Sequence, residues 1–187
     1  MNHETPHEAV ARGSSPPRRV AVLGVGNSLM CDDGVGVAVA RGLLEEGGLP
    51  DAVEVVVGET AGMGLVSYFR DYEAVVFVDA IDVGDAPGSV YRFGPDEAGV
   101  TALRSNNIHG MGVGYLVTCA RLTGASPEVV CVAIQVGDVR PLPDELTPEV
   151  AEAVPEAVAL VRDEAVRLAS VARVPLAEAV RGGRQSG

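Results

Sequence analysis

The sequence predicts an α/β protein in which a mostly parallel five-stranded sheet carries helices on both faces, a three-layer sandwich. Short Val-rich segments alternate with segments of helical periodicity, a pattern typical of parallel sheets buried on both faces. Aromatic residues make up 4% of the chain and Trp is absent, so Val, Ala and Leu must build the core. A length of 187 residues fits one domain with a full core.

The first part of the chain supplies three predicted strands and two helices. A helix is predicted to end at the Gly47-Gly48 pair, because glycine readily follows the last turn of a helix. The strands are predicted at Arg19–Gly24, Val53–Val57 and Ala74–Asp79, and the helices at Gly34–Glu46 and 61–70.

The second part of the chain completes the sheet. A strand at Ser89–Phe93 is predicted at an edge, where it can run antiparallel, and Glu128–Val136 (EVVCVAIQV) is a buried strand. One helix is predicted from near His109 to about Leu122. Another is capped by Thr147 and runs towards Ala172, with proline at its first position. Residues 19–172 thus form one predicted domain between a disordered tail (1–18) and a flexible tail (173–187).

Charge and cysteine usage exclude several classes of function. A net charge of −12 argues against binding to nucleic acid or to an anionic membrane surface. No apolar run is long enough to span a bilayer, and the N-terminus lacks the apolar region of a secretory signal. Cys31, Cys119 and Cys131 are odd in number and contain no C-x-x-C pair, which predicts reduced thiols in the cytoplasm.

Polar residues gather where ligands bind in such sheets, beyond the carboxyl ends of the strands. The first strand is followed by G-V-G-N-S-L-M-C-D-D-G-V-G, the third ends at Asp79 with Asp82 close behind, and His109 opens a later helix. His109 is the only histidine of the predicted domain. Carboxylates and one imidazole at a single edge predict a site for a divalent cation.

Each of these features also has another interpretation. Gly24-Val25-Gly26 follows a strand as a dinucleotide fingerprint does, but Leu29 takes the third glycine position, and Asp32 and Asp33 would repel a pyrophosphate. One of the two aspartates is expected to cap the helix that starts at Gly34, which leaves the other for a metal. Asp79 taken alone could bind a loop amide, and Cys31 with His109 only loosely suggests a thiol protease.

Four segments in register resemble the hydrogenase maturation endopeptidases, the M52 peptidases that process the large subunit of [NiFe] hydrogenases. They are VAVLGVGNSLMCDDGVGVAVARGLL, AVVFVDAIDVG, SNNIHGMGVGYLV, and VVCVAIQVGDV followed by LTPEVAEAVPEAVALV. Together they cover about residues 19–170. The chain departs from the family where S-N-N-I-H separates Ser from His and where Gln135-Val136 replaces a common Gln-Pro pair.

The resemblance implies a phosphorylase/hydrolase-like fold, a role for each site residue and a substrate. Asp33, Asp79 and His109 fall on the family's catalytic and metal-binding positions, and Asn27 and Asp32 on loop or substrate positions. The implied metal is nickel supplied by the substrate, although another divalent cation can occupy the site in vitro.

The implied partner is the nickel-loaded large-subunit precursor, whose C-terminal extension is removed in the cytoplasm by a monomeric enzyme. Three alternatives stay open at this point. They are a non-catalytic chaperone that docks on the large subunit, a nucleotide-binding module, and an unrelated metallopeptidase of the same fold.

Overall fold

The computed structural model describes residues 16–94, 113–141 and 145–171. The strands are β1 (Val20–Val25), β2 (Val53–Glu59), β3 (Ala74–Ile81), β4 (Val90–Phe93) and β5 (Glu128–Gln135). The α-helices are α1 (Val35–Glu46), α2 (Val66–Asp71), α3 (Val113–Leu122) and α4 (Pro148–Ser170), and 3-10 turns at Cys31–Gly34 and Gly62–Leu65 precede α1 and α2. The predicted helix start near His109 lies outside the described residues.

The five strands form one sheet in the order β2-β1-β3-β5-β4. All pairs are parallel except β4 with β5, which is antiparallel. The predicted, mostly parallel sheet with one antiparallel edge strand is therefore confirmed. Because β1 lies between β2 and β3, the turn that follows it emerges near the middle of the carboxyl edge.

Helices cover both faces of the sheet, as predicted. Alternate residues of β1 point to opposite faces, so Val20 and Val22 enter one core cluster while Ala21 and Leu23 enter the other. The first cluster packs under α1 and α4, and the second under α2 and α3. All six residues of β1 are buried, which explains why this strand contains no polar side chain.

Two strands run further than the sequence predicted. β3 continues past Asp79 to Ile81, because β5 keeps pairing with it as far as Gln135. β2 continues past Val57 to Glu59, which pairs with Val25 after an irregularity in the register. The prediction that Asp79 ends its strand is therefore wrong, and Asp79 lies inside β3.

The N-terminal boundary also differs from the prediction at one residue. Arg18, assigned to the tail, donates hydrogen bonds to the carboxylate of Glu128 at 2.8 Å and to the carbonyl of Glu73 at 2.9 Å. The guanidinium thus fastens the chain to the sheet one residue before the predicted start of the domain. Residues 1–15 and 172–187 lie outside the described part of the chain. Within that part, no helix has the length and apolar character needed to cross a membrane.

Candidate active site

The glycines after β1 allow the first helix to lie directly against the sheet. A Cβ atom on Gly36 would lie 2.3 Å from the carbonyl oxygen of Val25 and 2.5 Å from that of Val78. A Cβ atom on Gly24 would lie 2.3 Å from the carbonyl oxygen of Gly36. These distances are far below van der Waals contact, so only glycine fits. The glycine pattern therefore serves the packing of α1 on β1 and β3.

Gly26 fixes the turn that carries the two aspartates. Its φ of 138° lies in a region that L-residues rarely adopt. A Cβ atom there would also lie 2.0 Å from the carbonyl oxygen of Asp33. Asn27 holds the same turn, because its side-chain oxygen accepts the N–H of Leu29 at 3.1 Å. This bond is compatible with the loop-holding role considered for Asn27, and contact of Asn27 with the substrate stays a prediction.

Asp33 is buried at the end of this turn, with 1% of its surface exposed. Its Oδ2 accepts the backbone N–H of Asn27 at 3.0 Å. The 3-10 turn that contains it contacts β3. Because Gly24 pairs with Val78, the turn begins beside Asp79 on the neighbouring strand. The two predicted acids therefore belong to adjacent elements at one edge of the sheet.

Asp32 performs a different task from its neighbour. It is fully buried, and its carboxylate accepts the backbone N–H groups of Gly137 and Asp138, both at 2.8 Å. It also accepts the N–H of Thr147 at 2.6 Å and the hydroxyl of Thr147 at 2.9 Å. Asp32 thereby ties the turn after β1 to the loop between β5 and α4.

The predicted capping of α1 by one of the two aspartates is wrong. Neither α1 nor the 3-10 turn before it has a side-chain cap hydrogen bond. The carboxylate of Asp32 instead accepts hydrogen bonds from backbone N–H groups more than 100 positions further along the chain. Thr147 does stand at the N-cap position of α4, as predicted, but makes no side-chain cap bond. Its hydroxyl donates to Asp32.

Asp79 lies on the face of the sheet that α2 and α3 cover. It shares this face with Phe77, two positions earlier in β3. Its Oδ1 accepts the N–H of Ala80 at 2.8 Å. Asp79 is only partly buried, in contrast to Asp33. It is the more accessible of the two described site acids.

A cavity of about 170 Å³ opens beside Asp79. Its walls consist of Val25 and Phe77 from the sheet, Leu116 from α3, and residues at or after the end of β2, namely Glu59, Thr60, Gly62 and Leu65. Glu59 and Thr60 were not predicted as site residues. The available signal was their position directly after a Val-rich strand, the criterion that had identified the acids after the first and third strands.

Asp82 belongs to a loop rather than to the cavity wall. Its Oδ1 accepts the N–H of Gly84 at 3.3 Å and the side-chain amide of Gln135 at 3.2 Å. Gln135 is 2% exposed and also accepts the N–H of Val83 at 3.0 Å. Asp82 and Gln135 thus shape the segment after β3, and Asp82 is a suitable comparison for Asp79 in mutational tests.

The described cysteines near the site are not prepared for nucleophilic attack. The Cys31 thiol is buried and donates to the carbonyl of Glu145 at 3.1 Å. Burial, followed by the charge of Asp32, raises the pKa of Cys31. Burial and the nearby charge of Asp79 raise the pKa of Cys131 to about 12. Since the thiolate is the reactive form, neither residue supports a thiol-protease mechanism.

Four of the predicted site residues lie on neighbouring elements of the structure, and one lies outside the described residues. Asn27, Asp32 and Asp33 share the turn after β1, and Asp79 stands on the adjacent strand. His109 lies outside the described residues. Among the residues that are described, no group of three or more His, Cys, Asp or Glu side chains is arranged to hold a metal ion. The predicted three-residue site therefore remains a prediction.

The fold and the site define a class: a three-layer α/β protein with buried and half-buried acids at the carboxyl edge of its sheet. The sequence model of the hydrogenase maturation proteases matches residues 37–164. The chain belongs to this family and is accordingly a hydrolase of peptide bonds that acts in hydrogenase maturation. The matched stretch contains the positions of Asp79 and His109 and begins four residues after Asp33.

Individual relatives agree with this assignment. The chain is 31% identical over 149 residues to the hydrogenase expression/formation protein HupD of Bradyrhizobium diazoefficiens, covering 79% of this chain and 78% of HupD. It is 33% identical over 135 residues to the hydrogenase 2 maturation protease of Escherichia coli, covering 71% of this chain and 77% of that protein.

Solved structures show the same fold. The hydrogenase maturating endopeptidase HybD from E. coli superimposes with a TM-score of 0.74 at 30% identity, covering 86% of this chain and 99% of that one. The [NiFe] hydrogenase maturation protease HybD from Thermococcus kodakarensis gives a TM-score of 0.64 at 28% identity, covering 79% and 99%.

Proposed function

We propose that this protease removes the C-terminal extension of a nickel-loaded [NiFe] hydrogenase large-subunit precursor, with Asp33, Asp79 and His109 contacting the nickel of that substrate. The observation that carries the proposal is the position of Asp79. This half-buried carboxylate opens onto a cavity at the carboxyl edge, beside the turn that carries Asp33. Ligands of open α/β sheets bind at this edge.

The chemistry of the donors supports contact with a divalent metal ion. The described hydrogen bonds to Asp33 and Asp79 come from the neutral N–H groups of Asn27 and Ala80. Such bonds fix the position of a carboxylate group. Carboxylate oxygens together with an imidazole suit a divalent first-row metal. Another divalent first-row cation, such as Zn²⁺, should therefore also bind at these residues in vitro.

The nickel in this proposal is part of the substrate. Ligands from the protease would complete a coordination sphere that the precursor's own metal-binding residues leave open. A cation held there would polarise the scissile carbonyl and lower the pKa of a bound water. The tail would then be cut close to the metal-binding residues of the precursor, because the cation must reach the carbonyl that it polarises.

The decisive experiment measures the intact mass of the precursor after incubation with the protease. The precursor comes from the same genome and is tested with and without nickel. We expect the discrete loss of a C-terminal peptide only from the nickel-loaded form. Asp79→Asn should lower the processing rate by at least about 100-fold, as loss of a metal contact does. The matched control Asp82→Asn removes a loop carboxylate and should lower it by less than about threefold.

The other outcomes separate the competing functions. Stable binding of the precursor without any change of mass would identify a docking chaperone. Nickel-independent cutting of unrelated peptides would identify a general metallopeptidase, and stabilisation by NAD or FAD would identify a nucleotide-binding module. Undiminished cleavage by both Asp33→Asn and His109→Ala would remove the metal-contact model. An equal loss in Asp79→Asn and Asp82→Asn would mean that the wrong acid was chosen.

We further propose that the enzyme works as a monomer in the cytoplasm. The three cysteines are free, which fits a reducing compartment. A net charge of −12 favours solubility and disfavours attachment to anionic lipid. Light scattering of the purified protein should give a mass near 19.2 kDa. A stable dimer, or recovery in the membrane fraction, would contradict this proposal.

A further inference from the structure

We infer that the cavity beside Asp79 receives one large apolar side chain of the precursor, from a residue that flanks the cut bond. The inference rests on the proposed function and adds to it the specificity of the cut. Asp79, the more accessible site acid, forms part of the cavity wall. A side chain seated there is necessarily close to the proposed metal contact and to the bond being cut.

The volume of the cavity matches one side chain. It measures about 170 Å³, and an apolar protein cavity of about 150 Å³ holds one benzene molecule. Leu, Ile, Met or Phe would therefore fill the space, whereas Ala or Gly would leave most of it empty. A pocket of this size selects its occupant by the contacts that a smaller side chain cannot make.

The lining selects an apolar occupant. The walls are formed by Val25, Leu65, Phe77 and Leu116, all at most 7% exposed. Acidic side chains are disfavoured, because Asp79 and Glu59 contribute carboxylates to the wall. A basic side chain gains little from Glu59, since Arg41 already approaches that carboxylate at 3.5 Å. Burial of an apolar side chain against the four walls is then the main source of binding energy.

The polar rim of the cavity is built by an unusual backbone turn. Glu59 has a positive φ of 41°, and Gly62 one of 49°. A non-glycine residue in this region is strained and is often found at a functional site. The pairing of β2 with β1 also shifts register just before Glu59. The result is that Glu59, the last residue of β2, and Thr60, which follows it, both line the cavity.

The inference predicts that narrowing the cavity changes which precursor is cut. Thr60 is exposed and lines the cavity, and Met63 is exposed in the same turn without lining it. Thr60→Tyr should lower kcat/KM for the native precursor by at least about tenfold, the usual range for a lost fit in an apolar pocket. Met63→Tyr adds an aromatic ring to the same turn and should change kcat/KM by less than about twofold. Equal rates for wild type and Thr60→Tyr would overturn the inference.

Precursor variants test the same pocket without altering the protease. The residues on either side of the cut bond are each replaced by Ala, Asp and Arg. At one of the two positions, wild-type protease should process the Ala form at least about tenfold more slowly and the Asp form more slowly still. Thr60→Tyr should discriminate less than wild type between the native and the Ala precursor. Insensitivity at both positions, or faster cutting of the Arg form, would contradict an apolar occupant.

Failure of this inference can be told apart from failure of the proposed function. If the wild-type protease does not shorten the nickel-loaded native precursor, the proposed function itself is wrong. If the wild type cuts it and Thr60→Tyr cuts it equally well, only the pocket assignment is wrong. Unfolding curves of both tyrosine variants check that a lower rate does not come from misfolding, and the precursor series decides the question if either variant is unstable.

Discussion

Acidic side chains are held in different ways at the two ends of the parallel strands. Near the amino ends, arginines neutralise them: Arg18 binds Glu128, and Arg92 and Arg167 both bind Glu164. At the carboxyl ends, the buried Asp32 is held by backbone N–H groups and a hydroxyl. The arginine pairs found near that end, Arg41–Glu59 and Arg140–Asp138, involve largely exposed arginines.

This difference separates acids that form ion pairs with arginine from a buried acid that holds backbone groups in place. A carboxylate paired with arginine contributes to stability, but the two opposite charges together produce only a weak electric field. A carboxylate held by backbone N–H groups and a hydroxyl is fixed in position by the backbone. The carboxyl end therefore holds the turn that carries Asp33 in a fixed position, as the binding of a cation carried by a protein substrate would require. The comparison can be tested by removing one acid from each end.

The largest effect on stability is expected at Asp32. Asp32→Ala removes the acceptor for the N–H groups of Gly137, Asp138 and Thr147. Gly137 is exposed and Asp138 and Thr147 are partly buried, so water can replace part of these bonds. A fully buried donor left without an acceptor costs about 1–3 kcal/mol, and the variant should therefore lose about 2–3 kcal/mol of unfolding free energy in total. Denaturant unfolding followed by circular dichroism measures this loss.

Asp82→Ala serves as the control for Asp32→Ala. It removes a carboxylate from the same end of the sheet that accepts two longer hydrogen bonds. We expect a loss below about 1.5 kcal/mol. Equal losses of unfolding free energy in the two variants would show that the hydrogen bonds from the loop to Asp32 stabilise the protein no more than those to Asp82.

A smaller, pH-dependent effect is expected at the amino end. The hydrogen bond from Arg92 is the main cause that holds the pKa of Glu164 below its ordinary value of 4.5. A lowered pKa in the folded state stabilises the protein above pH 4.5, and this stabilisation is lost as the pH falls through the folded-state pKa. Glu164→Gln should lose about 1–2 kcal/mol of unfolding free energy at pH 7. As the pH is lowered, its unfolding free energy should fall less steeply than that of the wild type.

The matched control for this variant is Glu156→Gln, an exposed position on the same helix. It should leave the unfolding free energy within about 0.5 kcal/mol of wild type. Denaturant melts at a series of pH values between 3 and 7 compare the three proteins. An unchanged acid profile in Glu164→Gln would mean that the arginine pairs do not stabilise this end.

The smallest effect concerns thiol reactivity on the face that carries Asp79. With a pKa of about 12, only about one Cys131 thiol in ten thousand is ionised at pH 8. Iodoacetamide should therefore modify Cys119, which is only partly buried, before Cys131 or Cys31. Peptide mass spectrometry reads the order of labelling. Rapid labelling of Cys131 would show that solvent reaches deep below Asp79, against the packing described for this face.

Much of the fold could be predicted because its signals are local. Val-rich runs, the glycine pair at Gly47 and the Thr147-Pro148 start of α4 each lie within a few residues of the element they define. The ends of β2 and β3 were predicted too early, since only pairing with a neighbouring strand carries them to Glu59 and Ile81. That information lies in the partner strand and not in the segment itself.

The position of the site could be predicted from the sequence, but the separate roles of its acidic residues could not. The carboxyl-edge rule places Asp33 and Asp79 correctly on neighbouring elements. The partner of Asp32 could not be predicted, because a carboxylate next to a helix start usually caps that helix. Its actual partners come from residues 137–147, which only the folded chain brings close. The cavity was hidden for the same reason, since Leu65 and Leu116 reach it from separate helical segments.

The hydrogen bonds of Asp32 join it to residues that follow much later in the chain, which also has a consequence for biosynthesis. A ribosome makes the turn that carries Asp32 and Asp33 before it makes Thr147. Two of the bonds that secure this turn nevertheless come from Thr147, 115 residues after Asp32. Contacts this distant form late, because a long loop must close before they can be made. A nascent or truncated chain that stops before Thr147 would contain Asp33 and Asp79 but would lack the two bonds that Thr147 donates to Asp32. The peptidase should thus reach full activity only after Thr147 has been synthesised.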